Sequence, residues 1–295
     1  MSECPKLHRR SFFTGRAGAQ AAVRRFCWRQ HWDESLLYNQ GMRHVAIFVL
    51  LGLAHSQAAD DRRVPVIVEL FTSEGCSSCP PADQLLSRMD RTQPIAGARV
   101  IALEEHVDYW NSLGWTDPFS SSQYRVRQND YGRKFLNDNI YTPQMIVNGQ
   151  APFVGNDADR AAQEITRAAQ AQTTLVELKT SPKASDPDLV DLSVQVTNTA
   201  GSKAHNANVY LAVTESDLST NVQRGENSGR LLRHAPVVRS FGVIGKIDSK
   251  GSSAGAITNT LRLPREWKRE NLRAVVFVQE RDSYKITGAA ITELH

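Results

Sequence analysis

Cysteine is scarce in this chain: it holds four among 295 residues. Two of them, Cys76 and Cys79, form its one Cys-x-x-Cys motif. A structural zinc site usually needs two such pairs, and the histidines of the later chain are scattered. Attachment of haem c requires a histidine directly after the second cysteine, where Pro80 stands. A disulfide across two residues closes almost no loop and stabilises little, so the pair is expected to be reactive rather than structural.

Basic charge is also lacking in the body of the chain. Residues 1–63 contain ten Lys or Arg and five Asp or Glu, so a net charge of −1 remains for residues 64–295 out of the overall +4. Nucleic-acid binding depends on a basic surface, which such a composition does not provide. No nucleic-acid partner is therefore expected.

The apolar run at residues 45–54 is shorter than the roughly 20 residues that a membrane span needs. It follows Met42-Arg43-His44 and precedes small residues at 56–59, which is the pattern of a secretory signal peptide over residues 42–59. A periplasmic or secreted protein is expected, in contact with the membrane only through its export signal. An uncleaved anchor is the alternative. Residues 1–41 show no clear period and are interpreted as an unstructured or mis-annotated extension.

The Cys-x-x-Cys motif lies between an apolar, β-branched pattern at residues 64–71 and a helical pattern at residues 82–89. The first pattern predicts a strand buried on both faces. The start of a helix presents unpaired N–H groups and a partial positive charge, which favour a thiolate. Cys76 is thus predicted to attack and Cys79 to resolve the mixed disulfide, with Cys76 the more exposed thiol.

Further elements follow along the chain: a strand at residues 98–103 and a helix at residues 123–136. The Asn148-Gly149 dipeptide between apolar segments predicts a hairpin, and Asp157 is the predicted cap of a third helix. Strand, helix and strand in this order form a βαβ unit with a parallel pair. The whole order is β-α-β-α-β-β-α.

This order, with the cysteines at the first strand-to-helix junction, resembles the thioredoxin fold over residues 64–172. The resemblance implies a cis peptide bond at Thr142-Pro143, beside the disulfide and in contact with substrate. It also implies a buried acid behind the second cysteine, for which Glu69 is the candidate, although its spacing from Cys76 is one residue longer than usual. Alternatively, Glu69 faces solvent or a cationic partner.

A second resemblance is to a family of exported bacterial proteins that have a thioredoxin-like domain and are catalogued as a domain of unknown function. The segments that carry this resemblance are residues 69–83, 106–110, 114–119, 141–144, 224–230, His234 and residues 237–239. They extend over nearly all of the predicted mature chain. The family implies no substrate.

The second half of the chain has a different texture. Short apolar or alternating segments separated by turns predict a mainly antiparallel β-sandwich domain over residues 173–295, after an α/β thioredoxin-like domain over residues 60–172. Residues 221–239 contain charged residues among glycines. They are interpreted as a solvated loop or an interdomain salt-bridge patch, with shaping of a substrate groove as the alternative.

The function predicted from these features is that of an exported thiol–disulfide oxidoreductase acting on thiol- or disulfide-containing partners. The Cys76–Cys79 disulfide is itself the redox group, so no metal, flavin or nicotinamide is required. The alternative is a non-catalytic thioredoxin-like binding protein, either with the β-sandwich as its binding surface or with copper held by Cys76, Cys79 and a histidine such as His106. His106 is more simply interpreted as a loop or hydrogen-bonding histidine.

Overall fold

The computed structural model describes residues 63–135, 138–199, 206–248 and 256–294. The extension predicted at residues 1–41 and the signal peptide predicted at residues 42–59 lie outside this part of the chain. Within it, no helix combines the length and the apolar character that crossing a bilayer requires.

The described residues are mostly β, with few helices. The helices are α1 (Pro80–Thr92), α2 (Ser122–Phe135) and α3 (Ala158–Ala169), and short 3-10 turns occur at Asn111–Leu113 and Arg269–Asn271. The strands are β1 (Val64–Thr72), β2 (Ala98–His106), β3 (Gln144–Val147), β4 (Gln150–Val154), β5 (Thr174–Pro182), β6 (Leu189–Asn198), β7 (Ala207–Glu215), β8 (Ser219–Asn221), β9 (Leu231–Arg233), β10 (Val237–Ile247), β11 (Ile257–Arg262), β12 (Leu272–Glu280) and β13 (Ile286–Glu293).

The first half of the chain follows the predicted element order. Strands β1 and β2 pair in parallel along their whole length, as the βαβ pattern predicted, with α1 as the crossover. Strand β3 then pairs antiparallel to β1, and β4 pairs antiparallel to β3. Helices α1 and α3 pack on one face of these strands, whereas α2 packs on the other.

Two local predictions are confirmed. Asn148 and Gly149 turn the chain between β3 and β4 with positive φ angles of 44° and 69°, which is why this dipeptide favours tight hairpins. A Cβ atom at Gly149 would lie 2.0 Å from the Tyr284 carbonyl oxygen, so this turn also admits only glycine sterically. The Asp157 carboxylate caps α3 by accepting a hydrogen bond from the Arg160 amide at 2.9 Å.

The large sheet crosses the domain boundary that the sequence predicted at residue 172. One mixed eight-stranded sheet, in the order β13-β12-β7-β10-β2-β1-β3-β4, continues from one half of the chain into the other. The join is the parallel pairing of β10 with β2, where Val237 lies opposite Glu104. Strands β5, β6 and β11 form a separate antiparallel sheet, which packs against the β7 and β12 side chains. Local patterns could not reveal the join, because it pairs segments more than 130 residues apart along the chain.

Helix α2 covers both halves of the large sheet. Its Tyr124 and Tyr131 belong to the same buried cluster as Ile67 of β1 and Phe277 of β12. Burial of these large apolar and aromatic surfaces from water supplies most of the stabilisation at this face.

A buried ion pair lies beneath α2. The Arg127 guanidinium, on a side chain that is 8% exposed, bonds to the Glu69 carboxylate, which is fully buried. Tyr131 donates a hydrogen bond to the same carboxylate at 2.7 Å, and Arg127 donates to Gln279 of β12 at 3.2 Å. Loss of one partner from such a buried pair leaves an uncompensated charge in the core.

Replacement of Arg127 by methionine should therefore lower the free energy of unfolding by about 3–5 kcal/mol, because the Glu69 carboxylate loses its cation. The matched control is Arg125→Met in the same helix. Arg125 is 41% exposed and pairs with Asp108 near the surface, so its loss should cost no more than about 1 kcal/mol. Guanidinium denaturation followed by circular dichroism measures both. Equal losses in the two variants would contradict the role given to the buried pair.

Candidate functional site

Cys76 and Cys79 are joined as a disulfide, with Cα atoms 5.4 Å apart. Cys79 is the residue that precedes the first turn of α1. The next two residues are Pro80 and Pro81, which fit a first helical turn because their missing N–H groups would lack partners there. The same prolines leave this helix terminus with fewer N–H donors for a thiolate than the sequence argument assumed. The polar atom beside Cys76 is instead the Ser78 hydroxyl, 3.4 Å from the Cys76 sulfur.

Both cysteines are fully buried. The expectation that Cys76 is the more exposed thiol is therefore wrong. Ser77 and Ser78, between the two cysteines, are exposed, so the motif reaches the surface through its serines while its sulfur atoms are covered. A thiol reagent or a substrate can reach sulfur only if neighbouring structure moves.

The segment at residues 224–230, from the second half of the chain, lies directly on the cysteine turn. The buried Asn227 amide donates hydrogen bonds to the carbonyl oxygens of Glu74 and Cys76, both at 2.9 Å. The Glu226 carboxylate accepts a hydrogen bond from the Ser77 amide at 3.0 Å. Residues 221–239, interpreted from the sequence as a solvated loop or salt-bridge patch, thus include a segment that bonds to the turn bearing the cysteines.

The Thr142–Pro143 peptide bond is cis, as the fold resemblance implied. This turn lies close to the cysteine helix, because a Cβ atom placed at Gly155 would lie 3.1 Å from both the Ala82 and the Pro143 side chains. Trp110 fixes the turn by donating a hydrogen bond to the Thr142 hydroxyl at 2.8 Å. The structure therefore brings Thr142 and Pro143 to the start of α1.

Glu69 lies on the opposite face of the sheet from α1. Its neighbour Leu70 packs toward α1, while the Glu69 carboxylate meets Arg127 and Tyr131 of α2. Side chains alternate between the two faces of a strand, so the additional residue between Glu69 and Cys76 turns the acid away from the cysteines. Glu69 thus has the cationic partner of the alternative prediction. Its suggested role in proton transfer to the cysteines has no geometric basis.

A second group of charged side chains lies on the α1 face, next to the cysteine turn. Its members are buried to 95% or more and come from four parts of the chain: Glu74, Glu104, His106, Asp117 and His234. His106 Nδ1 lies 2.7 Å from Asp117 Oδ2, and His106 Nε2 lies 3.6 Å from Glu104 Oε1. His234 bridges Glu104 and Glu74: its Nδ1 lies 3.6 Å from Glu104 Oε1 and its Nε2 lies 3.1 Å from Glu74 Oε1.

The two histidines respond to these acids. Burial by itself lowers the pKa of His106, but Asp117 and Glu104 outweigh that effect and raise the pKa well above its usual value. Burial likewise lowers the pKa of His234, and the contacts with Glu104 and Glu74 raise it to about 9. The surrounding carboxylates thus favour the protonated form of both rings.

The buried carboxyl groups in and beside this cluster are not equivalent. Burial, followed by the nearby charge of Glu104, raises the pKa of Asp83 in α1 well above its usual value. Burial also favours the neutral form of Glu104, but its contacts with His106 and His234 prevail and lower its pKa. One carboxyl is thus held neutral and its neighbour ionised in the same buried space.

From this cluster the sequence singled out His106 as a hydrogen-bonding histidine or, in the alternative, a copper ligand, and His234 only as part of the family resemblance. The spacing of Glu104 and His106 was a usable signal, since residues two apart in a strand share one face. Both also stand at the carboxyl end of the strand predicted beside the cysteines. No local signal linked them to His234, which is brought here by the pairing of β10 with β2.

The chain belongs to the family described as "Protein of unknown function (DUF1223)", which matches residues 67–279. No curated protein is significantly similar to the chain. The crystal structure of Protein AGR_C_4864 from Agrobacterium tumefaciens is similar: it is 29% identical, covers 79% of this chain and 96% of its own, and has a TM-score of 0.59. HBP35 of Porphyromonas gingivalis is 16% identical over 79% of this chain and 76% of its own, with a TM-score of 0.56, which shows a shared fold alone.

Replacement of Asn227 by alanine should speed the reduction of the Cys76–Cys79 disulfide by about tenfold or more. The substitution removes the hydrogen bonds to two buried carbonyl groups, and each group left without a partner costs about 1–3 kcal/mol. This loss favours displacement of residues 224–230 from the cysteine turn. The rate is measured with a water-soluble phosphine, with rapid alkylation and mass spectrometry of the freed thiols. Ser228→Ala is the control, because the Ser228 hydroxyl donates to the Gln223 carbonyl, one residue before this segment, rather than to the cysteine turn. An unchanged rate in the Asn227 variant would contradict the covering role.

Proposed function

We propose that this DUF1223 protein is an exported thiol–disulfide oxidoreductase that uses Cys76 and Cys79. The observation that carries the proposal is the disulfide at the start of α1, immediately after the central strand β1. Two cysteines in this setting can pass between dithiol and disulfide without a large change of backbone, since only two residues separate them.

The arrangement of the first half supports the same proposal. The element order from β1 to α3, with the strand order β2-β1-β3-β4 and helices on both faces, is that expected of a thioredoxin-like domain. The Thr142–Pro143 turn beside α1 fits the same scheme. We infer that the two residues form part of the surface that receives the substrate backbone.

The proposed reaction needs no group beyond the two sulfurs and a partner. In the reducing direction, the Cys76 thiolate attacks a substrate disulfide, forming a mixed disulfide and releasing one substrate thiolate. Cys79, as thiolate, then attacks the Cys76 sulfur, which releases the second substrate thiolate and forms the Cys76–Cys79 disulfide. Two electrons pass from the protein to the substrate, and a dithiol donor restores the protein. The oxidising direction is the same sequence reversed.

Burial of the sulfurs adds one requirement to this proposal. Because the segment at residues 224–230 bonds to the cysteine turn, a substrate must displace it before sulfur can be attacked. Substrate selection then belongs to the second half of the chain as well as to the Thr142–Pro143 turn. This gives the residues after 172 a direct part in the function.

The same burial favours a second candidate, a non-catalytic protein in which the disulfide only holds the cysteine turn closed beneath residues 224–230. Both cysteines have no exposed surface, whereas reactive cysteines are usually partly exposed. In this case the family's activity is binding, and the redox state of the pair is constant.

Export fits either candidate. A disulfide between Cys76 and Cys79 persists in oxidising compartments such as the periplasm and is rare in the cytosol. Together with the signal peptide predicted at residues 42–59, this supports a periplasmic or secreted location.

Replacement of Cys76 by serine should abolish turnover of a small peptide disulfide supplied with a dithiol, because the attacking sulfur is lost. Cys79→Ser should instead accumulate a covalent mixed disulfide with the peptide, visible by mass spectrometry, because the resolving sulfur is lost. The measurement is the steady-state release of peptide thiol together with the mass of the protein.

Ser77→Ala is the matched control, because it lies between the two cysteines, leaves both sulfurs in place and should keep turnover. A wild-type disulfide that resists native reduction, combined with no peptide turnover, would reject the oxidoreductase and select the non-catalytic candidate.

A further inference from the structure

We propose that Glu104, His106 and His234 bind a divalent transition-metal ion, and that zinc is the ion their chemistry fits best. This inference does not depend on the redox proposal, because it uses a different set of side chains. It differs from the copper site considered from the sequence, since neither cysteine takes part.

Three atoms that can bind a metal ion converge in this cluster. One atom from each of Glu104, His106 and His234 lies within 4.8 Å of the other two. Glu104 Oε1 is 3.6 Å from His106 Nε2 and 3.6 Å from His234 Nδ1. Two ligands about 2.0–2.2 Å from a tetrahedral zinc ion are roughly 3.4 Å apart. The observed separations are too long for hydrogen bonds but close to the edges of such a site.

These atoms form no hydrogen bonds within the part of the chain that the structure describes. Among the described residues, no hydrogen bond reaches His106 Nε2, His234 Nδ1 or either oxygen of Glu104. All three side chains are at least 95% buried. Buried polar groups in native proteins are nearly always paired, and several that point at one space without pairing indicate a ligand.

Carboxylates also lie beside the second ring nitrogen of each histidine. Metal-bound histidines usually have their second ring nitrogen directed at a carboxylate, which fixes the ring and its tautomer. His106 Nδ1 forms a hydrogen bond with Asp117 Oδ2 at 2.7 Å, whereas His234 Nε2 lies 3.1 Å from Glu74 Oε1 as an ion pair without hydrogen-bond geometry. In each ring the opposite nitrogen is the one that faces Glu104. Both outer acids are themselves held: Trp115 donates to Glu74 at 2.6 Å, and the Glu74 amide donates to Asp117 at 2.8 Å.

The donor set selects the class of ion. Two imidazoles and one carboxylate suit zinc and neighbouring first-row ions, whereas calcium and magnesium prefer oxygen ligands alone. The cluster contains three carboxyl groups and two imidazoles, so a divalent cation bound to neutral imidazoles would offset two of its three negative charges. Bound there, the ion would join β2 to the segment before β10, and through Glu74 it would stiffen the cysteine turn.

The test uses the full protein, treated with a chelator and kept oxidised so that no thiolate is available. Cobalt(II) is added as a spectroscopic probe and zinc is then used to displace it. We expect one cobalt ion per chain, with the visible absorption of a four- or five-coordinate nitrogen and oxygen site and without a sulfur charge-transfer band. The double variant Cys76→Ser, Cys79→Ser should bind equally well.

Variants then locate the site. His106→Gln and His234→Gln should each weaken zinc binding by more than about 100-fold, and Asp117→Asn by roughly 10–100-fold, as expected for an outer partner. Glu105→Gln is the matched control, because Glu105 is the next residue of β2, points to the other face and is held neutral by burial and by Glu69, which raise its pKa. It should bind zinc as the wild type does.

Two results would overturn the proposal. One is a folded, chelator-treated wild type that takes up neither cobalt nor zinc in stoichiometric amount, which would leave a buried network of protonated histidines and carboxylates as the description of the cluster. The other is uptake that both histidine variants retain in full, which would place the ion elsewhere. The wild-type measurement decides the matter even if a histidine variant fails to fold.

Discussion

The contact between β10 and β2 joins the two halves of the protein. The Glu104 amide donates a hydrogen bond to the Pro236 carbonyl at 3.0 Å, and Val237 continues the sheet beside it. This short parallel pairing places residues 224–234, which precede β10, above the carboxyl end of β2. The cover over the cysteines and the approach of His234 to Glu104 both follow from it.

Strand β2 distributes acids to both faces of the sheet at this edge. Glu105 turns toward α2 and the ion pair of Arg127 with Glu69, while Glu104 and His106 turn toward α1 and the cysteine side. Each face therefore buries charge, which is costly unless every group finds a partner. The α2 face meets this need with an arginine and a tyrosine. The α1 face has two histidines, and the ligand atoms that converge there are the basis for the metal proposal.

The cysteine pair and the proposed metal site share one structural connection, the turn that leads from β1 into α1. Glu74 is two residues before Cys76, contacts His234, and accepts a hydrogen bond from Asn227 at its carbonyl oxygen. Changes in the buried cluster can thus be transmitted to the cover over the cysteines without any contact between a metal ion and sulfur. The two proposals nevertheless use different atoms and can succeed or fail separately.

Much of the local structure could be predicted from the sequence, because it follows from interactions between near neighbours. The strand before the cysteines, the Asn148-Gly149 hairpin and the Asp157 cap depend on side-chain alternation, on positive φ angles and on one hydrogen bond within a turn. The cis peptide bond at Thr142-Pro143 was predicted from the resemblance to the thioredoxin fold. The alternation of side chains along β1 also indicates on which face Glu69 lies, since one added residue in a strand moves a side chain to the opposite face.

Only the tertiary structure decided how distant segments meet. The continuous sheet, the hydrogen bonds from residues 226 and 227 to the cysteine turn, and the meeting of His234 with Glu104 and His106 join segments separated by more than 100 residues. Nothing in the local pattern at either end specifies such a contact, because it arises from the packing of whole strands and from the burial that this packing brings. The sequence by itself determined which chemical groups the protein carries, and packing determined which of them share a site.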